Sequence, residues 1–188
     1  MRVIHGLSGA AALFFGALLS AHSASAAANL LSNPYFTTPN GNGTSTFTGL
    51  YEGPSGAADW TVFNNTDGTT NTDLEPSSLV RGGTMIHVTT TGMNNGLEQV
   101  FTAKGKGEKY ACAWLYIVSG TVGIGAGNGG STGVDIQSST TGQWLALDAK
   151  SGRGPVTLFI AYATSVGGAE YYVTTTSVNG SKKTCRAK

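Results

Sequence analysis

Charged side chains are scarce in this chain: Asp, Glu, Lys and Arg make up 11% of 188 residues, and 11 basic residues stand against 10 acidic ones. A near-neutral surface offers no basic footprint for nucleic acid and no polybasic patch for an anionic membrane. Histidine and cysteine are scarcer still, at 3 and 2. Past residue 26 the only histidine is His87, and Cys112 and Cys185 lie too far apart to form a zinc site with it. No G-x-S-x-G elbow accompanies His87, so Ser/His/Asp catalysis is not expected. The acids are scattered singly, and no spacing nominates the two carboxylates that a glycosidase sets across a cleft. Past residue 26 there is no apolar run near the roughly 18 residues of a membrane span. Gly125-Ala126-Gly127-Asn128-Gly129-Gly130 fits G-x-G-x-x-G, yet the polar, strand-like Ser131 to Gln137 follows it. Without a helix N-terminus to hold a pyrophosphate, it reads as a flexible hairpin loop.

What the chain does have begins with a secretion signal. Arg2 supplies a positive start, Ala10 to Leu19 an apolar stretch, and Ala24-Ser25-Ala26 a small-residue cleavage site. Residues 1–26 are read as a cleaved signal peptide and residues 27–188 as one domain with room for a core. The expected location is outside the cytoplasm, extracellular or periplasmic, and no anchor signal is visible. In an oxidising compartment Cys112 and Cys185 pair by default, tying the tail 179–188 to the middle of the domain. Free thiols or an intermolecular bridge are the alternatives.

No segment has a helical pattern. Short β-branched and aromatic runs divided by Gly, Asn, Ser and Pro predict an all-β sandwich. Eleven strands are expected: Leu30 to Phe36, Ser45 to Tyr51, Asp59 to Phe63, Met85 to Thr91, Gly96 to Thr102, Lys109 to Val118, Thr121 to Gly125, Gly133 to Gln137, Trp144 to Ala149, Val156 to Ala163 and Glu170 to Val178. That is the inventory of a jelly roll. The polar, turn-rich Asn64 to Thr72 reads as a long exposed loop.

The opening Asn29-Leu30-Leu31-Ser32-Asn33-Pro34-Tyr35-Phe36 resembles the first strand of CenC-like carbohydrate-binding modules. Ala58-Asp59-Trp60-Thr61-Val62 is similar to the family's Gly-Trp-x-Val step. Met85 to Val88 with Gly96 to Val100 resembles its Ser-Leu-x-Val strand and the Gln-bearing strand after it. Lys104 to Ile117 resembles its turn-plus-strand, and Gln143-Trp144 and Tyr171 to Val178 its last two segments. The resemblance implies a galactose-binding-like jelly-roll β-sandwich that binds a polysaccharide or other glycan and performs no chemistry. Two departures matter. Where the family has Glu after the opening Phe and Asp in the last strand, this chain has Thr37, and Thr174 with Thr175. Those acids help hold a structural calcium in the family, so no cofactor is expected here beyond what backbone oxygens could hold.

Side chains alternate along Lys109 to Val118. One face carries Ala111, Ala113, Leu115 and Ile117; the other carries Tyr110, Cys112, Trp114 and Tyr116. If the aliphatic face packs between sheets, the aromatic face is a platform for stacking pyranose rings, led by Trp114 and Tyr116. The alternative makes the aromatic face the core. A Cys112–Cys185 bond would draw the tail over the aromatic face, walling or capping a cleft; a capped face would shift binding to loop tips near Tyr51, Trp60 and Asn64 to Asp73. Of Glu98 and Gln99 one should face outward, as a sugar ligand or merely solvated. Trp60 and Trp144 also read as structural anchors, and His87 should point away from the core. The function expected is a secreted, non-catalytic carbohydrate-binding protein. The rival is a structural, attachment or host-interaction protein, with a small polysaccharide-active enzyme as a third reading. The glycan and the oligomeric state are not encoded.

Overall fold

The computed structural model describes residues 28–79, 83–102, 108–127, 136–151, 158–179 and Cys185. The expected signal peptide, residues 1–26, lies outside the described residues. Strands follow in chain order: β1 (Thr44–Thr48), β2 (Tyr51–Pro54), β3 (Thr61–Asn64), β4 (Thr69–Pro76), β5 (Thr84–Thr90), β6 (Asn95–Val100), β7 (Lys109–Ser119), β8 (Val122–Gly127), β9 (Ile136–Ser138), β10 (Trp144–Ser151), β11 (Leu158–Ala163) and β12 (Glu170–Asn179). They form two 6-stranded antiparallel sheets in the orders β1-β4-β5-β12-β7-β10 and β2-β3-β6-β11-β8-β9. No helix occurs among the described residues. The fold is all-β, as composition and turn spacing predict.

The inward residues of the two sheets make one core. Ile86, Val88, Leu115, Ile117, Tyr171 and Val173 from the first sheet meet Val62, Leu97, Val122, Ile124 and Phe159 from the second, all fully buried. Tyr171 crosses between the sheets and donates its hydroxyl to the Ala161 carbonyl at 2.8 Å. A buried phenol has no other way to satisfy its polar end, and burial raises its pKa well above the usual range. Trp60 packs against Phe36 and edge-on against Phe159, with centroids 5.0 and 5.8 Å away. It is the structural anchor of this end of the core.

Three expectations are corrected. Leu30 to Phe36 is not a strand: Pro34 lacks an N–H, Asn33 and Phe36 take φ of 42° and 55°, and the Phe36 amide donates to the Asn33 carbonyl at 3.1 Å. The Asn33 side chain holds the turn, accepting from Thr38 N and donating to the Ala58 carbonyl. Thr69 to Pro76, whose first half the sequence reads as part of the Asn64 to Thr72 loop, is β4. Its buried positions are Thr70 and Thr72, whose hydroxyls bond Asn64 Oδ1 and the Gly56 amide, and Leu74 alone adds an apolar side chain against the core. Gly125 to Gly127 belongs to β8 and not to a loop, while residues 128–130 lie outside the described residues.

Candidate functional site

Along β7, Ala111, Ala113, Leu115 and Ile117 are fully buried between the sheets, which puts Tyr110, Cys112, Trp114 and Tyr116 on the outer face. The aromatic face is therefore not the core. Ladder register then aligns residues of all six strands in one line: Trp144 on β10, Tyr116 on β7, Tyr172 on β12, His87 on β5, Asp73 on β4 and Thr44 on β1. Four consecutive members are rings in contact. Trp144 and Tyr116 have centroids 5.6 Å apart, Tyr116 and Tyr172 6.3 Å, and Tyr172 and His87 4.4 Å. Trp114 adds a near-parallel partner to Trp144 at 6.2 Å and 8°. Cross-strand neighbours on one face lie close enough for such rings to support one another, which fixes their orientation.

The row divides into two chemical halves. At the aromatic end a cavity of about 260 Å³ has Tyr116, Trp144 and Tyr172 on one side and Met85, Pro76 and Leu79 on another. At the far end a cavity of about 230 Å³ lies among Thr44, Thr46, Asn71, Asp73, His87 and Thr89. Between them His87 is bracketed by carboxylates, Nδ1 3.3 Å from Glu75 Oε1 and Nε2 3.0 Å from Glu170 Oε1. Desolvation, and then the charges of Glu75, Glu170 and Tyr116, raise the Tyr172 pKa above the ordinary phenol value, so at neutral pH it is a hydroxyl that can donate.

The other residues singled out from sequence are placed elsewhere. Tyr110 is half-buried at the far end of β7 and donates to Glu108 Oε2 at 3.2 Å. Trp60 is in the core, its indole N–H given to the Asn33 carbonyl at 3.1 Å. Gln99 points inward and clamps two loops, accepting from Ser32 N and donating to the Ser32 and Asp59 carbonyls at 2.7, 3.0 and 2.9 Å. Glu98 does face away from the core, but on the other sheet. Burial first, then the neighbouring Glu52 carboxylate, pushes its pKa up to about 7 against the lowering effect of the Thr61 hydroxyl. Tyr51 is 79% exposed at the β1–β2 turn with φ 76°. The structure thus brings Trp114 and Tyr116 together and leaves Tyr110, Trp60, Gln99, Glu98 and Tyr51 apart from them. Trp144 and Tyr172 complete the row without having been singled out for it.

Cys112 and Cys185 form a disulfide across a sequence separation of 73, and both are buried. Cys112 lies on the outer face two residues from Trp114, so the bond anchors Cys185 beside the aromatic row and not over it. The remaining tail residues, 180–184 and 186–188, lie outside the described residues. At the positions of the family's calcium-holding acids, the Thr37 hydroxyl donates to Asn33 Oδ1 and the Thr174 hydroxyl is buried with no hydrogen-bond partner among the described residues. No carboxylate stands at either position, and a hard dication wants several oxygens including carboxylates.

No family model matches the chain, and no curated protein matches it. Solved structures do. The N-terminal CBM22-1-CBM22-2 tandem domain of Paenibacillus barcinonensis Xyn10C superposes with a TM-score of 0.51 at 17% identity, over 89% of this chain and 48% of that one. A CBM4 structure gives 0.51 at 10% identity, over 80% of this chain and 99% of that one. The CBM22-1 xylan-binding domain of the same Xyn10C gives 0.48 at 15% identity, over 80% and 98%. At these identities the likeness concerns the fold: the chain is a β-sandwich of the kind that carbohydrate-binding modules adopt.

Proposed function

We propose that this chain is a secreted, non-catalytic carbohydrate-binding protein whose site is the row Trp144–Tyr116–Tyr172 with Trp114 beside it. The observation that carries the reading is the row itself: in-register rings half-open on the outer face of a sheet, next to a cavity of about 260 Å³. Pyranose C–H faces stack on such rings, while phenol and hydroxyl groups along the line bond the sugar hydroxyls. The polar cavity beyond His87 lets a glycan chain continue across the strands toward Thr44 and Asp73. No chemistry is assigned: the two carboxylates that flank His87, Glu75 and Glu170, lie 3.3 and 3.0 Å from its ring nitrogens. Secretion is supported by the signal-like first 26 residues and by the disulfide.

The test is depletion of the protein from solution by insoluble cellulose, xylan, chitin and β-glucan, beside Tyr172→Ala with its fold checked by circular dichroism. Depletion by at least one polymer, lost in the variant, is the expected result. Binding to none of them would sink the reading in favour of a protein-contact role for the same face.

A further inference from the structure

The cavity beside the aromatic row has a second wall, where the apolar Pro76, Leu79 and Met85 stand with Ser77 and Ser78. β4 ends at Glu75 and Pro76, Ser77 N donates to the Gly83 carbonyl at 2.7 Å, and β5 places Met85 on the outer face two residues before His87. Pro76, Leu79 and Met85 so stand against Tyr116, Trp144 and Tyr172 around one cavity. Leu79 is 47% exposed, an aliphatic side chain turned to the cavity and not to the core.

An unsubstituted sugar seated on the rings would direct hydroxyl groups at this wall. Hydroxyls that met Pro76, Leu79 or Met85 would lose water and gain no partner there, which is costly. A methyl-terminated substituent would instead bury its carbon against Leu79 and Met85. The rim also supplies a donor: Ser77 Oγ accepts the Leu79 amide at 3.3 Å and keeps its own O–H proton to give. A methyl seat beside a hydroxyl donor matches the two ends of an acetyl group, whose carbonyl takes the proton while its methyl meets the wall.

We infer that this pocket selects acetylated sugar units, N-acetylated or O-acetylated, over their unacetylated counterparts. The inference rests on the proposed stacking role of the row and names its substrate class. The experiment is titration calorimetry with two matched pairs. Chitohexaose against cellohexaose, both neutral, tests the N-acetyl group; acetylated xylan against the same xylan after alkaline deacetylation tests the O-acetyl group. In at least one pair the acetylated member should bind about tenfold more tightly, the scale of one well-seated small apolar group. Leu79→Asn, at a half-exposed position, should cut that preference below threefold, weakening the acetylated member and giving the unacetylated member's hydroxyls an amide partner. Equal binding within both pairs overturns the inference and leaves the stacking role standing. A preference that survives Leu79→Asn overturns the assigned seat. Binding by no probe overturns the stacking role and this inference with it.

Discussion

His87 and Tyr172 lie ring on ring, with centroids 4.4 Å apart and planes 15° from parallel. The imidazole is confined, its two nitrogens lying 3.3 and 3.0 Å from carboxylate oxygens of Glu75 and Glu170. Tyr172 is in turn held between His87 on one side and Tyr116 on the other. A platform whose rings are already fixed loses little side-chain freedom when a ligand settles on it, and that raises affinity.

Tyr172→Ala removes the centre of this platform. It should weaken glycan binding at least tenfold, about 1.4 kcal/mol or more, while the melting temperature changes little, since the side chain is outside the core. Tyr172→Phe keeps the ring and should retain most of the affinity. Isothermal titration with whichever glycan depletes the wild type checks both, and an unchanged affinity in the alanine variant would exclude Tyr172 from the site.

The part of this site legible from sequence was the part held by a single strand. β7 shows its faces directly, because its inner positions are aliphatic and its outer ones aromatic. Trp144 and Tyr172 depend instead on register between strands, which no one strand encodes. β12 compounds the difficulty: a register shift between Val173 and Thr175 reverses the alternation, so that Tyr172 points out while Thr176 and Val178 point in. Gln99 and Glu98 show a related limit. Their alternation is plain, but which sheet β6 joins is decided by pairing with β3 and β11. β4 shows no apolar alternation because its buried positions are Thr70 and Thr72, satisfied by side-chain and backbone partners, with Leu74 alone packing on the core.

The disulfide closes a long loop, with a sequence separation of 73 between Cys112 and Cys185. The double variant Cys112→Ser with Cys185→Ser should lose about 4 kcal/mol of stability by the chain-entropy argument. Urea denaturation measures it, and wild type in reducing agent should match the variant. Equal midpoints with and without reductant would show that the bond adds no constraint.

Thr174 is the extra residue at the β12 irregularity, and its buried hydroxyl finds no partner among the described residues. A lone buried hydroxyl costs free energy that a methyl does not. Thr174→Val preserves shape and removes the hydroxyl, so it should raise stability by about 1 kcal/mol, read as a higher urea midpoint at unchanged slope. A lower midpoint would mean that the hydroxyl is satisfied after all.

Glu98 gives the fold a pH dependence that can be followed on its own. Burial and the adjacent Glu52 charge raise its pKa from 4.5 to about 7 in the folded protein. An acid with a raised folded pKa holds its proton more tightly in the native than in the unfolded chain. Its protonation therefore favours folding: the contribution is fully present below pH 4.5 and is lost as pH climbs through about 7. Glu98→Gln is neutral throughout and can still accept from the Thr61 hydroxyl, which bonds Glu98 Oε1 at 3.3 Å. The melting temperature of the variant relative to wild type should accordingly rise between pH 4.5 and 7 and level off at higher pH. A gap that stays constant over that range would mean that Glu98 titrates like an exposed carboxylate, and that its burial beside Thr61 and Glu52 is relieved in solution.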